Sequence, residues 1–138
     1  MSKTTRRRRY AAVTAAIILL GLFVHFHGAP LNARLRDSLG DALWAGMIAA
    51  ALSALLPGKA SGTRYFIALL ICYAVEFSQL WHTATLDQFR ATRMGALMLG
   101  SGFDWRDLIA YACGIVMFAW LDQHAMFRSQ PRDYSRAA

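Results

Sequence analysis

ICYAVEFSQLW (residues 71–81) is an apolar run that admits one carboxylate, Glu76, with Gln79 one helical turn later. An ionisable side chain is costly in hydrocarbon, so a membrane helix that carries one turns it toward the interior of a bundle or a watery cavity. The stretch predicts a membrane-crossing helix whose polar residues face other helices.

The rest of the chain agrees with that solvent. It has 138 residues, 57% of them apolar, with mean hydropathy +0.32, too oily for an ordinary soluble domain and short enough for one domain at most. Its formal charge of +7 would suit nucleic acid, but the 15 Lys and Arg gather at the termini and between apolar runs, the membrane-protein pattern. Nucleic-acid binding is not expected. Cys72 and Cys113 each lie inside an apolar run and read as packing residues.

A membrane helix needs roughly 20 mostly apolar residues, and four stretches qualify, near 10–28, 39–56, 64–82 and 105–122. The expectation is an all-α polytopic membrane protein with four transmembrane helices, a basic N-terminus over 1–9 and a polar tail over 123–138. The first span, behind KTTRRRR, has the look of a signal peptide. His27 is a poor residue three before a cut at Ala29, and Pro30 would follow that cut, so the helix is expected to be retained. LLPGKASGT (55–63) predicts a tight turn between the second and third spans. The link 83–103, with Arg90, Arg93 and the short run GALMLGSGF, is either interfacial or re-entrant.

Across four spans, Lys3, Arg6, Arg7, Arg8, Arg9, Lys59, Arg64, Arg128, Arg132 and Arg136 fall on one side, and Arg34, Arg36, Arg90, Arg93 and Arg106 on the other. The positive-inside bias then places both termini in the cytoplasm. With that orientation the polar residues collect in the outer halves: His25 and His27, Asp41, Glu76 and Gln79, Asp104 and Asp107. The inner halves hold almost nothing ionisable. Cys72, Glu76, Gln79 and Thr83 fall on one helical stripe, and Asp104, Asp107, Tyr111 and Gly114 on another. Two such stripes facing each other predict an outward-opening polar pocket. Gly46 and Ala50, in a small-residue face of the second span, and Gly114 in the fourth, are expected to pack helices closely.

Each residue also has a plainer reading. Glu76 would pair with Arg90 or Arg93 folded back from the loop, as a structural lock. Asp104 would cap the fourth helix, with Asp107 drawn to the positive end of its dipole. His25 and His27 read as interfacial residues, and Trp44, Trp81, Trp105 and Trp120 as interface anchors. No metal site, cofactor motif or nucleophile is recognisable.

EFSQ (76–79), Arg90 and Arg93, and GSGFDWRDLIAYACG (100–114) together resemble the bacterial membrane family known as domain of unknown function 2809, DUF2809. The resemblance implies Glu-x-x-Gln near the end of the third helix, an Arg-bearing loop, and Phe-Asp-Trp-x-Asp followed by Tyr and Gly down the fourth. Here these are Glu76, Gln79, Phe103, Asp104, Trp105, Asp107, Tyr111 and Gly114. A more distant similarity is to VanZ-like membrane proteins, in whose register stand Asp107, Tyr111 and Gly114, with Tyr111 where those proteins carry Asn. Neither family has a settled mechanism, so the resemblance implies a fold and the position of a site.

The leading expectation is a membrane protein that binds a lipid or envelope-precursor headgroup, with Arg90 and Arg93 on phosphate and Glu76, Gln79, Asp107 and Tyr111 on the polar remainder. Membrane lipids are then its partners. The alternatives are an enzyme using Glu76 and Asp107 as base and acid, a structural protein forming a homo-oligomer through the small-residue face, and a transporter working as a dimer or with a partner.

Overall fold

A computed structural model of the chain describes residues 2–28, 30–100 and 102–126. Ser2 accepts from the Thr5 N–H at 3.1 Å and starts α1 (Lys3–His27). The basic run is therefore the opening of the helix, seven residues ahead of the apolar pattern, since Arg and Lys are good helix formers when solvated. Asn32 caps α2 (Ala33–Leu55) through the Leu35 N–H at 2.8 Å, so this helix also begins before its apolar run and carries Arg34, Asp37 and Ser38 in its first turns.

Pro57 and Gly58 turn the chain into α3 (Ser61–Ser78). This helix ends short of residue 82, because the amides of Gln79, Leu80 and Trp81 bond three residues back, to Glu76, Phe77 and Ser78, and tighten the last turn. The link that follows forms two short helices, α4 (Ala84–Arg90) and α5 (Arg93–Leu99), capped by Thr83 and Thr92. They fold back on each other at Gly95, where a Cβ would stand 1.8 Å from the Phe89 carbonyl oxygen. Among the described residues the pair meets α3: α5 by packing and α4 through Arg90. Asp104 caps α6 (Trp105–Leu121), which runs on into a single π-helical turn, Asp122–Met126. The tail expected over 123–138 lies outside the described residues beyond 126.

Helix α2 is central and packs on α1, α3 and α6, while α3 also packs on α6. Consecutive long helices are antiparallel. The start of α1, the end of α2, the start of α3 and the end of α6 share one end of the bundle, the termini end; α4 and α5 lie at the other, the loop end. Among the described residues there is no strand.

On α2 and α3 the core is largely of small side chains, with Ala45, Ala49, Ala50, Ser53, Ala68 and Cys72 fully buried, while Tyr10, Tyr65, Tyr111, Ile115 and Phe118 add larger buried groups. At Gly114 a Cβ would meet the Ala42 carbonyl oxygen at 2.2 Å, so the α2 and α6 backbones are in direct contact there. Gly46 faces the same seam, with the Gly114 carbonyl oxygen 3.9 Å from where its Cβ would stand. Large apolar side chains lie outside, among them Phe26, Phe66, Val116 and Trp120, each more than half exposed. Two helices, α1 and α2, are long and apolar enough to cross a membrane.

Candidate functional site

Glu76 lies in the last full turn of α3 and is completely buried. Its Oε2 accepts from Gln79 Nε2 at 2.9 Å and from the Tyr111 hydroxyl at 3.2 Å, and its Oε1 accepts from the Asp104 backbone N–H at 2.8 Å. One carboxylate thus gathers donors from the end of α3, the middle of α6 and the turn into α6. A carboxylate held by three donors is a fixed point in a low-dielectric interior. Gln79 is pressed between Glu76 and Gly100: with φ +68°, Gly100 leaves no room for a side chain, since its Cβ would fall 2.4 Å from Gln79 Nε2.

The expected pairing of Glu76 with a loop arginine does not form. Glu76 makes no ion pair among the described residues. Arg90 is buried against the C-terminal end of α3, where it donates to the carbonyl oxygens of Ser78 at 2.6 Å and Trp81 at 2.9 Å and reaches Asp87 at 3.4 Å. The physical reason is that a helix C-terminus leaves carbonyls unpaired and carries negative dipole charge, a ready partner for guanidinium. Arg93 is exposed at the start of α5.

Beside this network the N-terminal ends of α2 and α6 converge. Arg34, Asp37 and Ser38 of α2 and Asp104, Arg106 and Asp107 of α6 line a groove of about 350 Å³. Asp104 caps its helix through the Arg106 N–H at 2.9 Å. Asp107 is half-buried, and its carboxyl comes within hydrogen-bonding reach of that of Asp41 on α2. Asp104 and Asp107 thus join the groove, with Glu76, Gln79 and Tyr111 as its supporting frame, while Arg90 and Arg93 lie apart on α4 and α5. Sequence reasoning misses Arg34, Asp37, Ser38 and Arg106 as site residues. The signal is present all the same: Arg34, Asp37, Ser38 and Asp41 recur at helical spacing and mark one polar face.

A second polar cluster lies at the termini end, among helix ends that the sequence reading leaves nearly free of ionisable groups. At the termini end, Asp122 accepts from the hydroxyls of Tyr10, at 2.7 Å, and Tyr65, and stands 3.7 Å from Arg64 Nη2. Arg64 is fully buried. It lies at the start of a predicted span, where a sequence reading takes it for a topology signal, and its partners lie on three different helices.

His25 and His27 are exposed near the end of α1, with His27 stacked on Phe23 at 4.8 Å. Cys72 is buried, Cys113 exposed, and both are free thiols. Among the described residues no group of three or more ligating side chains is placed to hold a metal.

The arrangement defines an all-helical bundle whose interior holds small and polar residues together with Ile115 and Phe118, whose surface carries many large apolar side chains, and which has two helices of membrane-crossing length and composition. The chain belongs to a family of unknown function, DUF2809, which it matches over residues 31–115, from the turn before α2 to the middle of α6. That range holds the whole groove and the Glu76 network. No solved structure matches the chain.

Proposed function

We propose that this is a four-span integral protein of a bacterial inner membrane that binds the polar headgroup of a lipid or cell-envelope precursor in the groove between α2 and α6. The observation that carries the reading is the groove itself, lined by charged side chains from two helix N-termini on a bundle whose sides are apolar. Helix N-termini and arginines favour phosphate, and carboxylates favour amine or hydroxyl donors. Arg34 and Arg106 therefore hold the phosphate, in place of Arg90 and Arg93. Asp37 and the Asp41–Asp107 pair hold the remainder.

Helices α3 and α6 supply the other two spans. They have 18 and 17 residues, roughly 25 Å each at 1.5 Å per residue, and α6 gains length from its π turn. Their exposed faces carry Phe66, Leu70, Ile109, Val116 and Trp120, while Arg64 and Glu76 are turned inward. With the termini end in the cytoplasm, the groove opens outward.

A structural reading has one specific observation in its favour: every oxygen of Glu76 is already satisfied by the protein. In the headgroup reading Glu76 frames the groove and leaves ligand contact to its neighbours. The test is lipid retention. Wild type, Arg106→Gln and Asp107→Asn are purified in mild detergent and co-purifying lipids identified by mass spectrometry, with melting followed in parallel. A defined lipid class carried by the wild type and lost by both folded variants supports the proposal. The same bulk lipid in all three proteins sinks it.

A further inference from the structure

The termini end holds a feature that the groove does not use. Helix α3 starts behind Ala60, whose methyl group offers no acceptor to the first-turn N–H groups, and no acidic residue stands in that turn. An uncapped N-terminus of an 18-residue helix carries partial positive charge and pointed donors. Arg64 reaches back to this turn, its Nη2 donating to Ser61 Oγ at 2.8 Å. Although Arg64 is fully buried, its Nε and Nη1 have no hydrogen-bond partner among the described residues. Buried guanidinium donors left without acceptors are costly, and native structures rarely keep them so.

Asp122 does not meet this demand, since it stands 3.7 Å from Nη2 and leaves Nε and Nη1 without a hydrogen bond among the described residues. The rings of Tyr10 and Tyr65, 5.3 Å and 5.9 Å from the Arg64 guanidinium, attract its charge without accepting at its edge. A second guanidinium, that of Arg6, lies 5.8 Å from the Tyr10 ring and reaches the Pro57 carbonyl oxygen at 3.4 Å, beside the turn into α3. Among the described residues, two guanidinium groups and a helix N-terminus share this corner with one carboxylate, that of Asp122, which leaves positive charge in surplus.

We propose that this corner is a phosphate site, separate from the groove at the other end of the bundle. The first-turn N–H groups of α3 and the unpartnered nitrogens of Arg64 bind the phosphate oxygens, and Arg6 adds charge at the mouth. The phosphate belongs either to an anionic lipid headgroup or to a free phosphate ion.

The full chain in mild detergent is titrated with phosphatidylglycerol, with phosphatidylcholine as the neutral control, and with inorganic phosphate. Melting temperature and native mass spectrometry are the readouts. Arg64→Gln is unsuitable alone, because so buried a change disturbs folding. Ala60→Asp is the informative variant: it places a capping carboxylate where the anion would sit, so it melts at or above the wild-type temperature yet binds about tenfold more weakly or worse. Phosphatidylglycerol raising the melting temperature where phosphate does not identifies a lipid headgroup. A rise with inorganic phosphate alone identifies a free ion. Binding of neither probe, or equal binding by Ala60→Asp, overturns the proposal. Ala60→Asp lies at the opposite end of the bundle from the groove and still carries the lipid class that the wild type retains there, so the two sites fail independently.

Discussion

The Tyr111 hydroxyl on α6 donates to Oε2 of Glu76 on α3 across 3.2 Å, and both residues are buried. Removing a single donor leaves the carboxylate two others, so Tyr111→Phe is expected to cost about 1–2 kcal/mol. Glu76→Ala strands three donors at once and costs about 3–5 kcal/mol. Denaturant or thermal unfolding in detergent measures both. A Glu76→Ala protein as stable as Tyr111→Phe would contradict the network.

Arg90 gathers two carbonyls at the end of α3 with its planar fork. Arg90→Lys retains the charge but cannot span both, so it is expected to lose about 1–3 kcal/mol and to speed amide exchange in α4. Arg93→Gln, at an exposed position, stays within about 0.5 kcal/mol of wild type. Equal effects of the two changes would deny Arg90 its capping role.

The α2–α6 seam gives a contrast between two glycines. Gly114→Ala drives a methyl group into the Ala42 backbone and should destabilise by about 1–3 kcal/mol. Gly46→Ala meets ordinary van der Waals contact at 3.9 Å and is tolerated. Parallel melting curves decide the matter, with reversed order as the contrary outcome.

At the termini end, Asp122→Asn withdraws the counter-charge from a fully buried guanidinium and should cost about 3–5 kcal/mol. Tyr65→Phe, which removes one of two hydroxyl donors, costs about 1 kcal/mol. Adding Arg64→Gln to Asp122→Asn should recover part of the loss. A strictly additive double variant would show that the two side chains are not coupled.

The stripe through Cys72, Glu76, Gln79 and Thr83 and the stripe through Asp104, Asp107, Tyr111 and Gly114 are legible in the amino-acid sequence from helical spacing. They meet where Glu76 accepts from Tyr111 and Asp104, while Asp107 and Gly114 turn to α2 and Thr83 lies past the end of α3 as the cap of α4. The partners are less legible. Arg90 bonds to backbone carbonyls, which leave no trace in a pattern of side chains. Arg34 and Ser38 are hidden because α2 begins in a charged turn that a search for apolar runs skips. Arg64 and Asp122 stand far apart in the chain, each at the edge of a span, where charge is commonly read as topology.

The two clusters also measure the same distance along both helices. Tyr65 precedes Glu76 by eleven residues on α3, and Tyr111 of α6 precedes Asp122, the first residue of the π turn that continues it, by eleven, with Tyr65 bonded to Asp122 and Tyr111 to Glu76. At 1.5 Å per residue the bonds lie roughly 16 Å apart. Sliding either helix by one turn breaks both together, so no half-matched alignment keeps one bond in compensation. The antiparallel pair has a single correct register, and the bonds act during assembly as two wards of one key.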